Sequence, residues 1–197
     1  MSIFRLRTSR PSGEKSRPPR SYRPGRLLDL VVREFGEFES RRLADNQVEL
    51  SPIAGSGPGF TVRERVLRHF LAHTVTAEFE RRFGDTPAGE GQLHLTHTGA
   101  LTRTGLRIQV KRSSETAPTV ATKLTADESF VQAILPLDFQ YFHLLQDEQG
   151  WRAVTGQMGA AWVHMALPPT RRYVRMGPEQ IEALLATFKR LETLLRA

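Results

Sequence analysis

Residues 177–196 carry an apolar stripe that limits what the rest of the chain can be. Ile181, Leu184, Leu185, Phe188, Leu191, Leu194 and Leu195 recur at three- and four-residue spacing, which lines one side of a helix with apolar groups. Gly177-Pro178 open the segment, and proline in a first turn forfeits no hydrogen bond. Glu179 and Glu182 fall near the positive end of the helix dipole, and Lys189, Arg190 and Arg196 toward the negative end. A helix that is dry on one side needs a second layer to cover it.

The preceding chain supplies that layer. Val48 and Leu50, Leu93 and Leu95, and Leu106, Ile108 and Val110 alternate with polar neighbours, the period of a strand with one buried face. A turn at Asp45-Asn46 makes a hairpin of residues 37–50, and Gly99 and Gly105 punctuate strands within 91–112. Further strands are predicted near Val120–Leu124, over Phe139–Leu145 and Trp151–Thr155, and over Ala160–Leu167 before Pro168-Pro169. Short helices are predicted from Leu27 to Phe35 and, capped by Asp127, through Leu135. Between about 61 and 83, Leu67, Leu71, Val75, Phe79 and Phe83 form a row at four-residue spacing beside Val62, Val66 and Phe70, which predicts a long amphipathic helix ended by Gly84.

The expected fold is therefore α+β. It is an antiparallel sheet of about six to eight strands, with a long central helix and a C-terminal amphipathic helix packed on it, in one domain over 27–197.

Charge separates that domain from what precedes it. Residues 1–26 hold eight Arg or Lys against the single acid Glu14, so the whole net charge of +7 resides there. With four prolines and little apolar content beyond Ile3, Phe4 and Leu6, this tail is expected to be disordered. It is either an electrostatic arm for phosphates or a solvated leader. The basic isoelectric point says nothing of residues 27–197, which are formally neutral.

Cysteine is absent, which removes disulfides, thiolate nucleophiles and Cys-based zinc sites. No apolar run has bilayer length, and no apolar signal-peptide core follows the N-terminal charges; a cytoplasmic protein is the expectation. The loop SPIAGSGPG at 51–59 lacks the Lys and Ser/Thr of a phosphate-cradling loop and the first glycine of a nucleophile elbow. No cofactor is predicted.

Three groups of residues carry the remaining chemistry. His69 and His73 stand four apart on the predicted helix, a spacing that presents two imidazoles to a metal, although Phe70 replaces the glutamate of the zinc-protease motif. Arg171, Arg172, Tyr173 and Arg175, with Arg5, Arg7, Arg10, Arg17 and Arg20 of the tail, combine guanidiniums with an aromatic ring and suit anions or nucleic acid. The same residues suit a solvated edge strand. Phe139, Phe142, His143, Trp151, Trp162 and His164 are candidates for lining a pocket or for filling the core, where His143 and His164 are placed on neighbouring strands. His94 and His97, three apart on a strand, point to opposite faces.

No catalytic motif emerges from these residues. The leading reading is a non-catalytic ligand-binding or protein-interaction module, taking a small apolar ligand or a protein partner. One alternative is a nucleic-acid accessory protein that uses the tail. Another is an enzyme whose site is assembled from dispersed histidines and acids.

Overall fold

Spacing by four keeps residues on one face of a strand as well as of a helix, and residues 60–82 make use of this. In the computed structural model, which describes residues 22–53, 59–69, 72–99, 103–165 and 170–196, they form two strands, β3 (Phe60–His69) and β4 (Ala72–Arg82), in place of the long central helix. Phe60 and Val62 are buried on β3, and Val75, Ala77 and Phe79 on β4. The register sets Val62 opposite Phe79 and Val66 opposite Val75. Val62 and Val66 of one expected row lie on β3, while the other row is split, with Leu67 on β3 and Val75 and Phe79 on β4; Phe70 and Leu71 lie outside the described residues. The β-branched Thr74-Val75-Thr76 favours the extended form.

The other elements, in chain order, are α1 (Arg26–Glu34), β1 (Phe38–Ala44), β2 (Gln47–Pro52), β5 (Gln92–Thr98), β6 (Gly105–Arg112), α2 (Ala117–Ala126), α3 (Glu128–Ile134), β7 (Phe139–Asp147), β8 (Gly150–Met165), β9 (Thr170–Val174) and α4 (Pro178–Arg196). The α+β class holds, with nine strands among the described residues. Of the described helices only α4 is long, and none of them is long and apolar enough to cross a membrane. Residues 120–124 belong to α2 and not to a strand: Pro118 sits in its first turn, and Ala117, Val120 and Leu124 are buried at helical spacing. Asp127 caps α3 by accepting a hydrogen bond from the Phe130 amide at 2.7 Å.

All nine strands join one antiparallel sheet, in the order β1-β2-β3-β4-β8-β7-β5-β6, with β9 also on β8. The two strands expected around Trp151 and Trp162 are the halves of β8. Its first half pairs with β7 through Gly150–Gln157, its second with β9 through Ala161–Met165, and β4 runs along both. The change of neighbour falls at residues 158–160. Ala160 takes φ 51 there, a left-handed conformation uncommon outside glycine.

The helices cover one face. α1 packs on β2, β3, β4 and β8, α2 on β5 and β6, and α4 on α3 and α2. Beneath them lies the core, where Phe35, Phe60 and Phe79 are in mutual ring contact at 5.4–5.9 Å and Phe188 meets Phe60 at 5.8 Å. Leu93, Leu95, Phe142, Leu144 and Trp151 continue it across the sheet. Among the described residues no helix lies on the opposite face, and the polar residues of alternate positions stand there.

Candidate functional site

The uncovered face should be wet, yet at its centre Glu78 is only 2 % exposed. Register explains the burial. Arg63 on β3, Glu78 on β4, Gly156 on β8 and Tyr141 on β7 occupy one row across four strands. Gly156 has no side chain, so the Tyr141 ring lies over it; a Cβ there would stand 2.5 Å from Tyr141 Cε1. The Tyr141 hydroxyl thereby reaches across β8 and donates to Glu78. Arg63 Nε donates to the same carboxylate, and Arg65 donates to it at 3.0 Å and to the Tyr141 oxygen at 3.2 Å.

This cluster is electrostatically closed at its base and open above. Burial pushes the Glu78 carboxyl up, but the Tyr141 hydroxyl and the Arg63 and Arg65 guanidiniums outweigh it and hold the group below the usual range. Burial and the neighbouring carboxylate push the Tyr141 phenol up, so it stays protonated and donates. The side chains of Arg63 and Arg65 remain 49 % and 38 % exposed, with Glu78 beneath both.

The next row pairs two histidines. His94 on β5 faces His143 on β7, and their rings stack at 4.1 Å with an 18° interplanar angle. Tyr141 meets His143 edge-on at 5.2 Å, and Gln92 Nε2 lies 2.8 Å from His94 Nε2. Burial lowers both imidazoles, reinforced for His94 by Lys111 and for His143 by His94 and Arg65; His143 falls to about 4. The stack is therefore uncharged near neutral pH.

Beyond this row the sheet opens. The β5–β7 ladder ends at Leu95–Phe142, although β5 continues to Thr98 and β7 begins at Phe139. The rings of His97 and Phe139 meet there at 4.3 Å, and His97 Nε2 lies 3.3 Å from the Ile134 carbonyl oxygen. Burial lowers the His97 imidazole too. The resulting notch, about 370 Å³, is lined by His94, Thr96, His97, Phe139, Gln140, Tyr141 and His143, with Leu95 and Phe142 behind.

The pocket-lining residues expected from the sequence do not share one pocket. Phe139, Phe142 and His143 reach the notch, whereas Trp151 is fully buried under the helices. Trp162 and His164 lie at the other end of the sheet with His73 and Arg171, under the Arg26 guanidinium, which sits 4.3 Å from the Trp162 ring. His143 and His164 do not meet in the core: His143 pairs with His94 on the uncovered face, and His164 stands opposite His73.

The metal pair loses its geometry. The antiparallel pairing of β3 and β4 puts His69 opposite Ala72 and His73 opposite Arg68, so no helical face presents both. Among the described residues no three His, Asp or Glu converge as a metal site requires. Within Arg171–Arg175, strand alternation sends Arg171 and Tyr173 to the helix-covered side, opposite His164 and Trp162, and Arg172 to the other. The segment is not one basic patch. Arg5, Arg7, Arg10, Arg17 and Arg20 lie outside the described residues.

Sequence reasoning does not single out Arg63, Arg65, Glu78, Gly156 or the His94–His143 pair. One signal for the first three was present: arginines at alternate positions of one segment and glutamates, Glu78 and Glu80, at alternate positions of the next are the charge pattern of paired strands.

No curated protein and no solved structure matches the chain. A family match spans residues 33–195, from within α1 to the last turn of α4. It thus takes in the whole sheet and every residue of the ladder and the notch. On that match the chain belongs to the family described as Protein of unknown function (DUF3156).

Proposed function

We propose that this protein is a non-catalytic binding module that takes an anionic partner on the uncovered face of its sheet. The observation that carries this reading is the Arg63–Glu78–Tyr141–Arg65 cluster. Two guanidiniums are held in place by one buried carboxylate, and each keeps a large exposed fraction. Pre-placed donors bind without a further ordering cost, and guanidinium suits carboxylate and phosphate oxygens. Two more cations extend the surface. Arg107 stands opposite Thr96 beside the notch and Lys111 is close to His94, both exposed and without an acidic partner among the described residues. The histidines favour binding over acid–base work, since among the described residues none pairs with a carboxylate and those of the notch are uncharged.

Calorimetric titration of the full chain with inorganic tripolyphosphate tests the reading. The tail binds polyanions on its own account, so two charge-matched double variants are compared. Arg107→Glu with Lys111→Glu alters the proposed face. Arg33→Glu with Lys189→Glu makes the same charge change on exposed helix positions. The first pair should weaken binding by about tenfold or more relative to the second. Equal affinities for the two would remove the proposed face.

A further inference from the structure

Three of the hollows on the sheet differ in what they leave unsatisfied. One, about 580 Å³, lies at the end of the uncovered face between Arg82, Gln92, Asp147 and Arg152. Its charges are spent on one another: Arg82 donates twice to Asp147, Arg152 bridges Glu80 and Asp147, and Arg112 meets Glu90. The second, beside His73, His164 and Arg171, is closed by Arg26 on Trp162 and holds about 10 Å³. The third is the notch between β5 and β7. Its volume falls in the range of small-molecule sites, roughly 300–1,000 Å³, and among the described residues none of its lining side chains is taken up in an ion pair.

Three features of the notch point to one ligand chemistry. The walls are rings: Phe139, Tyr141, His94, His97 and His143 line the opening, and a planar ring stacks on such side chains. The strand segments 96–98 and 139–141 run past the end of their mutual ladder. Main-chain donors and acceptors therefore border the space, as hydrogen-bonding partners for the edge of a polar heterocycle. Cations flank it: Arg65 is bonded to the Tyr141 hydroxyl on one side, and Arg107 stands opposite Thr96 on the other. Uncharged imidazoles add stacking surface without repelling those cations. An aliphatic ligand would leave the edge groups unpaired, and a bare anion would leave the rings unused.

We propose that the notch binds a planar nitrogen heterocycle carrying a phosphate, the chemistry of a nucleoside monophosphate, with the ring among His94, His97 and Tyr141 and the phosphate toward Arg107. This rests on the anion-binding reading of the same face and adds the ring to it.

Calorimetric titration of the full chain with adenosine monophosphate and uridine monophosphate, and with adenosine, ribose phosphate and inorganic phosphate as partial probes, tests the addition. At least one nucleotide should bind with a dissociation constant of about 1 mM or tighter and about tenfold more tightly than any partial probe. Arg107→Ala should weaken the nucleotide severalfold and leave adenosine unchanged. His97→Ala should weaken nucleotide and adenosine together, with the unfolding midpoint recorded to show that the variant is folded. Ribose phosphate or inorganic phosphate binding as tightly as the nucleotides overturns the ring while leaving the anionic face in place. No nucleotide binding overturns the inference, and the tripolyphosphate comparison then decides whether the anionic face falls with it.

Discussion

The two faces of the sheet reach low exposure by opposite routes. On the helix side Val75, Ala77 and Phe79 are dry because α1 and the phenylalanine cluster lie on them. One residue away along β4, Thr76 and Glu78 are equally dry, but no helix or strand of the described residues covers them. Glu78 is roofed by the long side chains of its own neighbours, two arginines and a tyrosine, whose tips stay in water. Burial by an element makes a core. Burial by the stems of polar side chains makes a surface with a fixed interior, which holds binding groups still while leaving them accessible.

That contrast can be broken at its centre. Glu78→Ala should cost about 2–3 kcal/mol in chemical denaturation, short of the ~3–5 kcal/mol of a fully buried pair because Arg63 and Arg65 keep access to water. A loss below about 0.5 kcal/mol is the signature of an ordinary surface site and would make the uncovered face a plain solvated one. Gly156→Ala probes the roof itself. A methyl on open surface is harmless, but here it meets the Tyr141 ring, and a cost of about 1–3 kcal/mol follows from overpacking. A neutral result would mean that Tyr141 does not rest on the strand.

The smallest expected effect is the dependence on acid. The His143 imidazole titrates at about 4 in the folded chain, below its ordinary 6.5, so the unfolded chain takes up the proton first as the pH falls. Its contribution to stability is full above 6.5 and is lost on descending to about 4. The groups that face it are His94, Tyr141, Arg65 and Glu78, with Lys111 acting on His94. Glu78 acts in the same direction at lower pH, because its value also lies below the ordinary 4.5. Unfolding midpoints across this window should fall for the native chain and fall less for His143→Phe. Parallel curves for the two would sever the histidine stack from the acid response.

Much of the helical layer is legible in the sequence, and the candidate site is not. The α4 stripe, the Asp127 cap and the turn at Asp45-Asn46 are local signals, each contained in a few residues. The segment Val62–Phe79 misleads because a four-residue interval is an even number, compatible with both periods. Only the reversal between His69 and Ala72, which shifts the buried positions from even to odd, reveals a hairpin. Tyr141 over Gly156, or His94 against His143, depends on the register between strands distant in sequence, and composition and spacing carry no trace of that. The sequence offers His143 and Phe139 as pocket residues, while strand alternation separates their ring partners His94 and His97 and gives no sign of either contact.

The change of neighbours along β8 has a consequence for synthesis. β8 is the strand that joins the β1–β4 meander to β7, β5 and β6, and it leaves the ribosome long after β4 does. At about 5–20 residues per second, the stretch from Arg82 to Gly150 takes roughly 3–14 s to emerge. For that interval β4 has β3 on one side and an unsatisfied row of amides and carbonyls on the other, beside Val75 and Phe79. An open, apolar edge of this kind is where nascent chains adhere to one another. The hazard ends when β8 arrives and occupies that edge along nearly the whole length of β4.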